Sequence, residues 1–196
     1  NDDVATQVEV FRAGANDFVN KPLVEDVLMA RVRSLLLIKH QFDAIRRQAA
    51  DMERLATTDA ITGVRNRRYL VDEGQGFLSR TPKGWVIIVD LDHFKRINDS
   101  YGHLTGDKVL MAMGDMLNRL FPDGLCARFG GEEFVVLLHG DAVPVRAEQL
   151  RAAVEKLKPA DVDVTLSLGL AAVAEHPGKD LNALLGDVAV KGDEDR

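Results

Sequence analysis

The sequence predicts an α/β sandwich, with helices around a mixed sheet and a long helical segment in front of it. Three observations carry that prediction. Trp85-Val86-Ile87-Ile88-Val89 is an unbroken apolar run of strand length, the pattern of a strand buried on both faces. Helical three-and-four spacing of apolar residues flanks it on both sides. Leu125 to Phe129 and Phe134 to Leu138 are strand-like, and Gly130-Gly131-Glu132-Glu133 between them signals a tight hairpin whose glycines take positive φ.

Composition narrows the possibilities. Of 196 residues, 46 % are hydrophobic and 29 % charged, a globular balance that excludes disorder as the main state. Lys plus Arg number 25 against 31 Asp plus Glu, so the net charge is -6. Such a chain carries no overall electrostatic footprint for a nucleic-acid backbone, and no nucleic-acid partner is expected. Cys126 has no second cysteine to pair with, which points to a reducing compartment and a cytoplasmic location. No apolar run approaches the roughly 18 residues of a membrane span, so no membrane insertion is expected. The chain opens on Asn1 without a basic-then-apolar leader, as expected of a piece of a longer protein.

The elements follow in order. Val4, Val8 and Phe11 suit a helix face, and Gly14 its stop. Asp17-Phe18-Val19 reads as a short strand. Pro22 suits the first position of the next helix, with Asn20 as its cap. Helix, strand and helix make half an α/β unit rather than a domain, and the first region is bounded at 1–34. A long helix is expected from about Leu23 to Leu55. Within it Leu35, Ile38, Phe42, Ile45, Ala49 and Met52 follow a coiled-coil seam, giving a stalk over 35–56. A parallel pair of stalks would bring two copies of the following domain, 57–196, together. In that domain Asp107 to Leu120 and Pro144 to Leu157 are helical. Val162 to Val173 alternates as a strand around Thr165, Ser167 and Gly169. Asp180 to Leu185 starts a last helix, and Lys191 to Arg196 reads as disordered charge.

The chemistry gathers at two places. Asp90-Leu91-Asp92 stands where the buried strand ends, the usual ligand position of an open α/β sheet. Glu132 and Glu133 lie at the hairpin tip. If the strands are neighbours, Asp90, Glu132 and Glu133 converge, and three carboxylates repel unless a cation lies between them. Oxygen-only ligands point to Mg²⁺, which also binds substrate phosphates. Lys95 offers such phosphates a point charge. Asn98 and Asp107 match a guanine edge in donors and acceptors. Each has a plainer reading: a loop acid, a wet hairpin tip, a turn residue at Asn98, a surface histidine at His103. Cys126 reads as a small core hydrophobe, and Arg65, Arg67 and Arg68 as a solvated helix start.

Taken together, D-L-D-H-F-K-R-I-N-D-S-Y-G-H-L-T-G-D (Asp90 to Asp107) and R-F-G-G-E-E-F (Arg128 to Phe134) closely resemble the GGDEF domain of diguanylate cyclases. T-D-A-I-T-G-V-R-N-R-R-Y-L (Thr58 to Leu70) and V-T-L-S-L-G-L (Val164 to Leu170) resemble that family's entry segment and later strand. Gly14-Ala15-Asn16-Asp17 with Lys21-Pro22 resembles the close of a response-regulator receiver domain, which makes 1–34 a receiver remnant.

The resemblance implies a palm-like nucleotidyl-cyclase fold and the condensation of two GTP into cyclic di-GMP across a homodimer. It implies Asp90, the Leu91 carbonyl and Glu132 as ligands of Mg²⁺ or Mn²⁺, with Glu133 close by. Glu132 would also help deprotonate the attacking 3′-hydroxyl, and Lys95 would stabilise phosphate charge. Asn98, His103 and Asp107 would hold the nucleotide. An upstream histidine kinase would address the intact receiver. Two departures stand out. The family's R-x-x-D inhibition site falls on Phe121 and Gly124, so feedback through it is expected to be weak or lost. The family's terminal helix, with its phosphate-binding lysine, has no in-register match after Leu185, and Lys191 is at the wrong spacing. The terminal helix is therefore expected to be missing. That leaves open a catalytically impaired module that binds GTP or serves as a dimeric platform. A different nucleotidyl transferase of similar architecture is a third reading.

Overall fold

The computed structural model describes residues 4–17, 22, 24–80 and 83–193. The chain divides into two compact units, Asn1–Met52 and Glu53–Arg196.

In the first unit, helix α1 spans Val4–Arg12. Gly14, at φ 95°, ends it as the sequence predicts, its N–H bonding back to the Phe11 carbonyl. The expected strand at Asp17 to Val19 lies largely outside the described residues, as do Asn20 and Lys21. Arg31 donates to the Asp17 carboxylate at 2.7 Å. Helix α2 runs over Glu25–Thr57, its residues from Glu53 on belonging to the second unit. It starts three residues beyond Pro22, where Glu25 and Asp26 put negative charge in the first turn, the favourable sign for a helix N-terminus. Pro22 is therefore not its first residue. No residue of α2 is buried. The seam residues Ile38, Phe42, Ile45 and Met52 are 56 to 72 % exposed, a continuous apolar stripe.

The second unit is built on a four-stranded sheet in the order β2-β3-β1-β4. Its strands are β1 (Gly84–Leu91), β2 (Leu125–Arg128), β3 (Glu133–His139) and β4 (Leu166–Ala172). The strands pair antiparallel throughout, while an isolated parallel bridge joins Arg65 to Ala127 at the β2 edge. The apolar run thus becomes the strand with a partner on each side. Alternation sends its side chains into two cores. Ile87, Val89 and Leu91 meet Phe134, Val136, Leu138 and the helices α4 (Phe94–Tyr101), α5 (His103–Leu120) and α6 (Val143–Leu157). Val86 meets Val135, Leu137, Ala171 and the helices α3 (Arg67–Leu78) and α7 (Leu181–Asp193) on the other face.

Several expectations are corrected. The terminal helix is present. Leu181, Leu184, Leu185 and Val188 bury one stripe of α7 against the sheet, and the Leu181 N–H donates to Gln75 Oε1 at 2.7 Å. A side chain added at Gly186 would meet nothing within 4 Å, so this glycine weakens helix propensity without opening the packing. The helical backbone continues through Asp193, so the tail from Lys191 is not disordered over its described part. Val162 and Val164 are buried but precede the ladder, because the partner strand β1 ends at Leu91, opposite Leu166. The helix expected from Asp107 begins at His103, after Gly102 at φ 84°. Gly130 and Gly131 are not among the positive-φ glycines. A Cβ at Gly130 would sit 2.6 Å from Glu133 Oε2, so an added side chain there would displace the end of the Glu133 carboxylate. Arg65 and Arg67 are not simply solvated: they stack over the rings of Tyr69 and Phe129, at 4.2 and 4.4 Å from the centroids.

Candidate active site

Register places the acidic groups. Asp90 is directly opposite Glu133 on β3 and opposite Ser167 on β4. Asp90 and Glu133 therefore share the sheet face that carries α3 and α7. Glu132, one residue earlier, lies outside β3, and its carbonyl accepts from the Leu91 N–H at 3.4 Å. It lines a cleft on the other side, with Lys95, Asn98, His103 and Asp107. Among the described residues no three Asp, Glu, His or Cys side chains gather as a metal cluster. The expected convergence of Asp90, Glu132 and Glu133 is thus corrected to a cross-strand pair and a cleft carboxylate, because Glu132 falls in the bend before β3 and is not held by its register.

The cleft encloses about 540 Å³, with Phe94 and Leu110 as apolar floor. Asn98 comes from α4, and His103 and Asp107 from the first turns of α5, so the bend at Gly102 brings them together. Gly106 makes this possible: a Cβ there would stand 2.0 Å from Asn98 Oδ1. Lys95 is exposed on the first turn of α4.

Residues that sequence reasoning left without a role also belong here. Arg128 and Asp99 line the cleft. The Arg128 guanidinium donates to the carbonyls of Gly130 and Gly131, at 2.7 Å for the shortest bond, and to the Asp59 carboxylate at 3.2 Å. Asp59 also accepts from the Thr62 N–H at 2.9 Å and its hydroxyl at 2.8 Å. Burial pushes the Asp59 carboxyl up, but the Thr62 hydrogen bonds and the Arg128 charge outweigh it and hold it below its ordinary value. Two residues before Asp59, Thr57 ends α2, and its carbonyl accepts the Asn66 N–H at 3.0 Å. The last turn of α2 is thereby tied to the glycine hairpin through one ion pair. The signal was in the sequence only as an acid and a base far apart.

Asp92 takes no place in the cleft. Its two oxygens accept the hydroxyls of Ser167 and Thr165, both at 2.6 Å. Cys126 is core, as predicted, and burial pushes its thiol up to about 12. At the α5–β2 turn Phe121 is buried, and Asp123 is held by two bonds from Arg146, at 2.6 and 2.9 Å.

Residues 56–189 match the family model described as diguanylate cyclase, GGDEF domain. The chain belongs to the GGDEF family. The response regulator PleD of Caulobacter vibrioides is 33 % identical over 191 residues, covering 88 % of this chain and 41 % of PleD. The diguanylate cyclase DgcP of Pseudomonas aeruginosa is 37 % identical over 157 residues, covering 74 % of this chain and 23 % of DgcP. The chain thus spans less than half the length of either relative. Among solved structures, the coiled coil and GGDEF domain of DgcB from Caulobacter crescentus, in complex with c-di-GMP, matches with a TM-score of 0.67 at 26 % identity. That match covers 83 % of this chain and 91 % of the DgcB chain. Among the described residues no helix of this GGDEF chain is long and apolar enough to cross a membrane.

Proposed function

We propose that this chain is the catalytic part of a diguanylate cyclase, condensing two GTP into cyclic di-GMP with release of two pyrophosphates. The observation that carries the reading is the cleft lined by Glu132, Lys95, Asn98, His103 and Asp107, with the Asp90–Glu133 pair on the opposite face at the end of β1. Asn98 and Asp107 hold the guanine edge, by an amide that donates and accepts and a carboxylate that accepts two N–H bonds. His103 borders the nucleotide. Lys95 offsets negative charge on the phosphates. Glu132 takes the proton of the attacking 3′-hydroxyl, whose oxygen bonds to the α-phosphorus of the facing nucleotide as the bond to pyrophosphate breaks. The same exchange in the other half of the dimer closes the ring.

Asp90, Glu132, Glu133 and the Leu91 carbonyl offer oxygen donors alone, the type that suits Mg²⁺ with Mn²⁺ as a substitute, and would hold the metal together only once Glu132 turns from the cleft toward the Asp90–Glu133 pair. Bound there, the metal supplies charge neutralisation on the phosphates. Each protomer holds one GTP, so the reaction needs a homodimer. The exposed stripe from Leu35 to Met52 on α2 is the surface proposed to pair as a coiled-coil stalk over residues 35–56. The PleD match covers more of the chain than residues 56–189, which supports reading 1–34 as the end of a receiver domain addressed by a histidine kinase, in a cytoplasmic protein. The catalytic domain then occupies 57–196. The engaged Asp123 and buried Phe121 support weak or absent product inhibition at the α5–β2 turn.

The test is direct. The purified chain is incubated with GTP and Mg²⁺ at protein concentrations around its dimerisation range, and cyclic di-GMP is read by chromatography. Product rising steeply with protein concentration, and disappearing in Glu132→Ala, is expected. A dimer that binds GTP and yields no product would overturn the enzymatic reading and leave the binding-module alternative.

A further inference from the structure

We propose that Asp92 is a positioning residue of the nucleotide site: its carboxylate clamps the turn between β1 and α4 onto β4 and so sets the backbone from which Asp90 and Lys95 are presented. The inference rests on the proposed cyclase reading of that cleft. As sequence, Asp90-Leu91-Asp92 reads as a pair of equivalent acids. The structure separates them. Both Asp92 oxygens are engaged by hydroxyls 73 and 75 residues away, Thr165 and Ser167, each at 2.6 Å. The Asp92 N–H adds a third bond to the same stretch, to the Thr165 carbonyl at 3.1 Å. One residue thus ties the exit of the central strand to the entry of β4.

The turn needs such a tie. His93 takes a left-handed conformation at φ 55°, which costs a non-glycine residue energy and persists only where the surroundings fix it. It precedes α4 without making any side-chain cap hydrogen bond, so the helix start has no local anchor of the usual kind. Asp92 is the neighbour through which an anchor is supplied from outside. Lys95 and Asn98 follow on the first two turns of α4, and Asp90 precedes by two residues, so any slackness of the turn is passed to both sides of the site. Ser167 is also the cross-strand partner of Asp90, which makes the clamp part of the same register.

The role distinguishes itself from metal ligation by what each substitution leaves intact. Asp92→Asn keeps a group that accepts from one hydroxyl and, after rotation of the other, donates to it; Asp92→Ala keeps neither. The experiment compares Asp92→Asn, Asp92→Ala, the double variant Thr165→Val/Ser167→Ala and the triple variant. KM and kcat for GTP, the Mg²⁺ concentration giving half-maximal rate, and melting temperature are measured. Amide hydrogen exchange of residues 91–97 is measured without nucleotide. Asp92→Ala is expected to raise KM about tenfold, to raise the Mg²⁺ midpoint severalfold because Asp90 is displaced with the turn, and to speed exchange in 91–97. Asp92→Asn should stay within about threefold of the parent. The double variant should reproduce Asp92→Ala, and the triple should add nothing to it. An Asp92→Asn variant as impaired as Asp92→Ala, with a silent double variant, would make the charge itself the requirement and overturn the proposal. So would unchanged exchange in Asp92→Ala, or activity lost only in step with melting temperature. If the parent makes no cyclic di-GMP, the cyclase reading fails by itself, while the exchange cycle still decides the clamp.

Discussion

Gly106→Ala separates folding from recognition. Gly106 lies inside α5, where alanine is favoured over glycine by about 0.8–1.0 kcal/mol. An added Cβ would stand 2.0 Å from Asn98 Oδ1, 3.0 Å from its Cγ and 3.2 Å from Phe94 Cζ. The first two contacts cannot coexist with the present amide position. Asn98 is only half-buried, so its amide can swing out at small cost to folding. Stability should then change little, or rise slightly. Recognition should suffer, because two hydrogen bonds to a guanine edge are worth roughly 0.5–1.5 kcal/mol each. Their loss, about 1–3 kcal/mol, corresponds to roughly 5- to 150-fold weaker GTP binding at about 1.4 kcal/mol per tenfold. Titration with a fluorescent GTP analogue, beside thermal melts, reads both quantities. Gly76→Ala is the control, since an added Cβ there meets nothing within 4 Å and α3 should gain about 0.5–1 kcal/mol. Parent-like GTP affinity in Gly106→Ala would refute the role of Asn98 as base reader. A melting temperature lowered by many degrees would refute the claim that Asn98 yields.

Gly114→Ala should behave in the opposite way: its Cβ would lie 2.1 Å from the backbone carbonyl oxygen of Thr62, which cannot rotate aside. Overpacking of about 1–3 kcal/mol is expected, seen as a lower melting temperature. Asp59→Asn should lose about 1–2 kcal/mol at neutral pH through its part-buried partners, and circular-dichroism melts against pH check the sign. The folded carboxyl is held below its ordinary 3.8, so its contribution is present above that value and is lost as pH falls through the lower folded value; the gap between parent and variant should close there. Phe42→Asp with Ile45→Asp should weaken dimerisation in sedimentation equilibrium and lower cyclic di-GMP formation at fixed protein concentration, while leaving the melt of the catalytic unit unchanged.

Much of the fold was legible in residue order. The run Trp85 to Val89 could only be a strand covered on both faces, and cores do cover both its faces. The seam from Leu35 to Met52 announced an unbroken helix, because nothing in it stops one. The last helix was less legible. Comparison with a familiar motif hid a simple periodic stripe, Leu181, Leu184, Leu185 and Val188, whose burial against the sheet holds α7 in place. The glycine hairpin was located correctly but for a wrong reason: neither Gly130 nor Gly131 takes positive φ.

Local pattern therefore settles which segments are helix and strand, and which residue types can do chemistry, since periodicity and side-chain chemistry are properties of neighbouring residues. Only the packed chain decides how two acids in one tripeptide divide their work. Asp90 faces Glu133 because antiparallel register sets them opposite each other, and Asp92 is taken up by hydroxyls more than seventy residues away. The same holds for Asp59 and Arg128, whose pairing brings the end of α2 to the hairpin, and for Gly106, whose missing side chain is the space Asn98 occupies. These are long-range contacts, fixed by the sheet and by close packing, and no spacing along the sequence encodes them.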